Sequence, residues 1–142
     1  MDEKVIVSST GALELKKIPE KMIVVGAGVI GLEMGSIYSR LGTEVTVIEF
    51  YDKVLNGMDH DISKNFKTIL KKQGFKFHLS CAVSTITKEK KGLKVTYGQR
   101  DSSNHKELSA DVVLVATGRK PFTENLKLEN IGVEINAKGQ IE

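Results

Sequence analysis

Cysteine is almost absent from this chain of 142 residues, in which Cys81 stands alone. A single thiol closes no intrachain disulfide and builds no thiolate metal cluster, so neither is expected within these residues. Leu79, Ala82 and Val83 surround it, and a cysteine in so apolar a stretch reads as a packing residue. A redox-active thiol would need a partner or a base, and the sequence offers neither nearby. Aromatic residues make up only 6% of the chain, few for a base-stacking surface beside a basic patch. The formal net charge of +3 is spread out, and the densest lysine cluster, Lys88 to Lys91, is broken by Glu89. That charge reads as a solvated surface, so neither nucleic acid nor a membrane is an expected partner. No apolar run approaches the ~18 residues that span a membrane. No charged-then-apolar stretch reads as a secretory leader.

Catalytic and metal constellations are lacking as well. His60, His78 and His105 show no metal-ligand spacing and read as structural or exposed. The serines, aspartates and glutamates form no nucleophile arrangement. No catalytic residue and no metal ligand is therefore expected from the residues alone.

What is present is a patterned chain with 40% hydrophobic and 27% charged residues, ordinary for a globular domain. Val5 to Val7 reads as a short extended piece, Ser8 to Gly11 as a turn, and Pro19 stops any helix from running onward. Met22-Ile23-Val24-Val25 is a β-branched run bounded by glycine, the signature of a strand buried on both faces. Val29 to Leu41 reads as a helix stopped by Gly42, and Val45 to Phe50 as a second strand. Asp59 or Asp61 caps a further helix to about Gln73, with Ile62, Phe66, Ile69 and Leu70 expected to face the sheet. Phe75 to Leu79 would be a third parallel strand. Val83 to Lys88 and Leu93 to Tyr97 alternate with a period near two about the turn Lys90-Lys91-Gly92. Gln99 to Lys106 reads as a polar loop and Glu107 to Ser109 as the start of another short strand. Together they form an antiparallel meander. Asp111 to Ala116 is again a buried strand, and Phe122 to Glu142 has a weak pattern expected to wrap the surface. The fold class is α/β: a Rossmann-type parallel sheet with helices on its faces and an antiparallel β-meander crossover.

Gly26-Ala27-Gly28-Val29-Ile30-Gly31 is a G-x-G-x-x-G whose context makes it specific. It follows a buried strand, opens a helix, and precedes a strand ending in Glu49, 18 residues beyond Gly31. Gly26 turns the chain out of the strand, Gly28 lets the backbone approach a pyrophosphate, and Gly31 lets the helix pack closely. The helix N-terminus offers free N–H groups and a partial positive charge to phosphates. Glu49 is placed to accept hydrogen bonds from both adenosine ribose hydroxyls and to repel a 2′-phosphate, which points to NAD rather than NADP. Lys53 lies near enough in sequence to soften that repulsion. Glu33 reads as a helix-surface acid, and Gly35 as a second close-packing site. A glycine-rich turn with no ligand, and an FAD-binding use of the same fingerprint, are the competing readings of the motif.

With Gly26-Ala-Gly-Val-Ile-Gly-Leu-Glu33 and Val47-Ile-Glu-Phe50 in view, the chain resembles the flavoprotein disulfide reductases. Ser8-Ser-Thr-Gly-Ala-Leu13, Ile62-Ser-Lys-Asn-Phe66, Lys72-Gln-Gly-Phe-Lys-Phe77 and Val115-Ala-Thr-Gly-Arg-Lys-Pro-Phe122 extend the resemblance over nearly the whole chain. They point to the eukaryotic-type branch that oxidises dihydrolipoamide. The resemblance implies an NAD domain inserted into an FAD domain, with residues 1–20 and 122–142 as the connections and 21–121 as the nucleotide-binding unit. It implies that Gly26, Ala27, Gly28, Val29, Ile30, Gly31 and Leu32 wrap the dinucleotide and that Glu33 reaches toward the nicotinamide. Glu49 would bind the adenosine ribose, Val83 would line the adenine pocket and Gly118 would lie near the cofactor. The family's redox-active Cys-x-x-x-x-Cys and FAD fingerprint are missing, as is the His-Glu pair from a partner subunit. These residues alone are therefore expected to bind NAD(H) without turnover. FAD would belong mainly to another domain of a homodimeric parent, working within 2-oxo acid dehydrogenase complexes of the mitochondrial matrix. The Ser-Ser-Thr-Gly opening is expected to lie in the middle of a longer protein. Alternatives are another reductase of the family, an NADH oxidase, or a free-standing NAD-binding regulatory module.

Overall fold

The computed structural model describes residues 1–100 and 102–142; residue 101, in the expected Gln99 to Lys106 loop, lies outside them. Five parallel-paired strands form the main sheet: β1 (Ile6–Val7), β2 (Lys21–Val25), β3 (Glu44–Ile48), β4 (Lys76–His78) and β8 (Val112–Val115), in the spatial order β1-β8-β2-β3-β4. Three more, β5 (Cys81–Lys88), β6 (Leu93–Gln99) and β7 (His105–Ala110), make an antiparallel sheet in simple meander order. The helices are α1 (Ser9–Leu13), α2 (Val29–Arg40) and α3 (His60–Lys72), and a 3₁₀ turn covers Leu128–Ile131.

The apolar runs are continuous because both faces of the main sheet are covered. Met22, Val24, Val45, Val47, Val112 and Leu114 point to a core shared with Ala12, Leu32, Tyr38 and Leu70 of the helices. Ile23, Ile48 and Val113 point the other way, against Leu93, Val95, Tyr97 and Ala110 of the meander. Helices were expected on the faces of the sheet; α1, α2 and α3 all share one, and the meander takes the other. Each fully buried Val or Leu of these cores stabilises the fold by about 1.5–3 kcal/mol through removal from water. Gly35 is the expected close approach: a Cβ there would come within 3.1 Å of the Phe75 ring and 3.3 Å of Val45.

Several local expectations are corrected. Ser8 to Gly11 is no simple turn; Ser8 accepts the Gly11 N–H and caps the five-residue helix α1, too short for a helical period to show in sequence. β7 begins at His105, inside the stretch expected to be loop, because pairing with β6 runs from Gly98↔His105 to Leu93↔Ala110. On α3, Phe66 and Leu70 pack on the core, but Ile62 and Ile69 are 57% and 50% exposed. The apolar stripe of the helix is broader than the face it buries. Asp59, not Asp61, is its N-cap. The tail is mostly exposed, with Leu128 buried and one bridge pairing Ile135 with Ile141.

Candidate functional site

The parallel strands bring Val25, Ile48 and Val115 to one edge of the sheet. From β2 the chain winds outward through β3 and β4, then returns on the other side as β8. The strand order reverses between β2 and β8, and a switch of this kind is where open α/β sheets form a crevice. A cleft of about 550 Å³ lies there. Gly26, Ala27 and Gly28 of the turn line it, with Glu49, Phe50 and Tyr51 at the end of β3, Cys81 and Val83 of β5, and Thr117 and Gly118 beyond β8. An adjoining lobe of about 340 Å³ shares Gly28 and Gly118 and adds Val29, Ile30 and Arg119. A separate hollow of about 410 Å³, walled by His78, Tyr97 and Lys106, contains none of the turn residues. The glycine turn and Glu49 therefore belong to the first cleft and its lobe.

The glycines of the turn differ in purpose. Gly26 has φ 104° and its N–H donates to the Ile48 carbonyl at 2.8 Å. A Cβ there would lie 2.5 Å from the Ala116 carbonyl oxygen, so the turn is closed to any side chain. At Gly31 a Cβ would press on the Gly26 carbonyl and sit 3.0 Å from Val24, which is the close helix-to-strand packing expected. At Gly28 a Cβ would meet nothing within 4 Å. The protein leaves that space to the cleft.

The two long helices end differently at their N-termini. Asp59 caps α3 by accepting from the Asp61 and Ile62 N–H groups at 2.9 and 3.2 Å, and Asp61 adds charge to its first turn. Gly28 gives α2 no side-chain cap, and its first turn holds no acid. The positive end of α2 therefore faces the cleft with no side-chain cap and no acid in its own first turn, an arrangement that suits a phosphate. Glu49 is 8% exposed. Its Oε2 accepts the Ala27 N–H at 2.5 Å and its Oε1 accepts the Tyr51 N–H at 2.8 Å. Arg100 lies over the Phe50 ring, 5.1 Å from its centre, at the same end of the cleft.

Of the residues singled out in sequence, Gly26, Ala27, Gly28, Glu49, Val83 and Gly118 meet around one cleft, and Val29 and Ile30 line its lobe. Gly31 is buried and Leu32 is 1% exposed in the helix core. Glu33 is exposed on α2 and lines neither the cleft nor the lobe. Lys53 is half-buried in the connection after β3 and is not part of the cleft wall. Cys81, read as a packing residue, is buried and also lines the cleft. Asn56 and Tyr51 were missed because the segment after β3 carries no period. Thr117 had a signal, its place just past a buried strand at the switch point. Among the described residues no group of three or more His, Cys, Asp or Glu could hold a metal ion, and no helix is long and apolar enough to cross a membrane.

Comparison with known proteins follows the same lines. The family model described as pyridine nucleotide-disulphide oxidoreductase matches residues 2–142. The chain is 51% identical, over 99% of its length, to the mitochondrial dihydrolipoyl dehydrogenases of Rattus norvegicus and of Homo sapiens, and spans 28% of each. Among solved structures it is similar to the HOCl-induced flavoprotein disulfide reductase RclA from Escherichia coli. The TM-score is 0.83 at 34% identity, covering 96% of this chain and 30% of that one. LpdA from Mycobacterium tuberculosis gives a TM-score of 0.84 at 26% identity, covering 98% of this chain and 29% of that one.

Proposed function

Because the chain belongs to the pyridine nucleotide-disulphide oxidoreductase family, we propose that it is the NAD(H)-binding domain of a dihydrolipoyl dehydrogenase. The observation that carries this reading is the cleft at the β2–β8 switch point, lined by both the uncapped N-terminus of α2 and the buried Glu49. The residues present fit a dinucleotide. The open space at Gly28 admits a pyrophosphate against bare backbone, and the α2 N–H groups supply donors where the phosphate charge would lie. The buried carboxylate of Glu49 keeps unused acceptor capacity for ribose hydroxyls, since an ionised carboxylate accepts at about four positions. Val83 and Phe50 give the adenosine end apolar walls. The lobe bounded by Val29, Ile30, Gly118 and Arg119 takes the nicotinamide half. Gly31 and Leu32 serve by packing α2, and Glu33 stands at the outer surface, available to the nicotinamide side only when other parts of the parent assemble beside it.

In the parent this domain would hold NAD⁺, which when bound would supply the hydride-accepting chemistry for FAD reduced by dihydrolipoamide. The task of this domain is position: it holds the dinucleotide in place while the cofactors do the redox chemistry. Residues 21–121 form the binding unit in this reading, with 1–20 and 122–142 as the connections to the FAD domain. The chain spans 28% of its curated relatives, and FAD, the redox disulfide and dimerisation are assigned to the rest of the parent. By itself the chain binds nucleotide without turnover. The parent in this reading is a homodimer within 2-oxo acid dehydrogenase complexes, and the similarity to the mitochondrial enzymes of rat and human supports the mitochondrial matrix as its compartment.

Calorimetric titration of the purified chain with NADH and then NADPH tests this reading. Binding of NADH with clear preference over NADPH is the expected result. A folded chain that binds neither, or that purifies yellow with FAD, would overturn it.

A further inference from the structure

Glu49 is held more firmly than a ribose-reading acid requires. Its two carboxylate oxygens each take a backbone N–H, from Ala27 at 2.5 Å and from Tyr51 at 2.8 Å. Hydrogen bonds onto an ionised carboxylate are among the strong ones, and burial strengthens them further. The main chain of Glu49 is fixed too. Its N–H donates to the His78 carbonyl and its carbonyl accepts from Cys81, both at 2.9 Å. The Ala27 residue is gripped from its other end, where its carbonyl accepts the Leu55 N–H at 2.9 Å. Leu55, whose side chain is buried, has φ 51°, a conformation leucine rarely adopts.

We infer that Glu49 is a positioning residue for the glycine turn as well as the acid that faces the ribose. Its carboxylate sets the Ala27 peptide before any nucleotide arrives, and its own charge is pinned where it cannot swing aside. The consequence for specificity rests on reading the cleft as a dinucleotide site; the brace itself does not. To admit a 2′-phosphate, the carboxylate would have to leave, and leaving breaks both hydrogen bonds at once. Removing the charge by substitution does not simply exchange NAD for NADP. It deprives the Ala27 and Tyr51 N–H groups of their acceptor, so the turn loosens and both nucleotides bind less well. Discrimination and pre-organisation are thus coupled through one side chain.

Amide hydrogen exchange, followed by NMR on the ligand-free chain of 142 residues, separates this role from a simple ribose contact. In Glu49→Ala the Ala27 and Tyr51 amides are expected to exchange about tenfold faster or more, while Val24 and Val25 in β2 keep their protection. Glu49→Gln preserves the shape but has one acceptor oxygen, so at least one of the two amides speeds up; this variant decides the matter where the alanine form does not fold. Neither variant should bind NADPH as tightly as the wild type binds NADH. Wild-type exchange at both amides in the Gln variant, or NADPH binding by it at the wild-type NADH affinity, would overturn the inference. A wild-type chain that binds neither nucleotide defeats the reading of the cleft, and the ligand-free exchange rates still decide the brace.

Discussion

Lys88, at the end of β5, lies 2.5 Å from the Asp2 carboxylate and so ties the N-terminal segment to the meander. The other oxygen of Asp2 accepts the Lys4, Val5 and Ile6 N–H groups at 2.9, 3.0 and 3.0 Å. Lys88, then the Ile6, Val5 and Lys4 N–H donors, hold this carboxyl well below the usual carboxylate range. A carboxylate depressed on folding stabilises the fold above its ordinary value of 3.8 and loses that contribution as the pH drops further. Asp2→Asn should therefore unfold less steeply with acid than the wild type below about pH 4. At neutral pH its Lys4 to Ile6 amides should exchange faster. Urea midpoints across the acid range, with exchange at pH 7, measure both; identical acid limbs would show that the pair contributes nothing.

The two glycines of the turn that are not strained in φ should respond oppositely to alanine. Gly31→Ala drives a methyl into the Gly26 carbonyl and Val24, an overpacked contact that costs about 1–3 kcal/mol. Gly28→Ala meets nothing and should leave stability within about 0.5 kcal/mol of wild type. Its methyl occupies the space that the proposed function gives to pyrophosphate, so NADH affinity should fall instead. Thermal melts and calorimetry on the same two variants distinguish a packing glycine from a ligand-facing one. Loss of stability in the Gly28 variant would mean the space is needed by the protein itself.

Most of the frame was legible because parallel strands covered on both faces are written as β-branched runs. In Met22 to Val25, Val45 to Ile48 and Val112 to Val115 the short length and the β-branching, rather than any period, mark a strand. The candidate cleft was legible for the same reason: the glycines of the turn and one acid sit at fixed offsets from those strands. What stayed hidden depends on the backbone. The donors to Glu49 are main-chain N–H groups of Ala27 and Tyr51, and main-chain groups leave no mark in a sequence. The short helix α1 was hidden by its length, and the boundary of β7 by a polar strand exposed over much of its surface. On α3 the period was right and the face too generous, because periodicity reports what a helix is able to bury rather than what its neighbour covers.

That distinction gives α3 a direct test. Ile62 and Ile69 are more than half or about half exposed, whereas Leu70 is 2% exposed. Leu70→Ala should cost about 2–5 kcal/mol by opening a cavity under the helix. Ile62→Lys and Ile69→Lys should each change stability by no more than about 0.5 kcal/mol. Chemical denaturation of the three variants checks the order; a large loss at either isoleucine would return it to the core.

His78 links the end of β4 to the meander, and its behaviour sets a second pH limb. Its ring lies 4.9 Å from that of Tyr97, centre to centre, and the Tyr97 hydroxyl is 3.4 Å from both ring nitrogens. Burial, and then the nearby Lys106, hold the imidazole below its ordinary value of 6.5. The unfolded chain therefore takes up this proton at a higher pH than the folded one. A depressed histidine contributes stability above its unfolded value and loses it as the pH falls through that value toward the folded one. Wild-type stability should decline between about pH 7 and pH 5, a window set by the unfolded imidazole. His78→Gln should flatten that part of the curve, since glutamine keeps a polar partner for Tyr97 and takes up no proton. Denaturation at half-unit pH steps measures the slope. A variant curve parallel to the wild type throughout the window would place the pH dependence elsewhere in the chain and leave His78 a packing partner of Tyr97 alone.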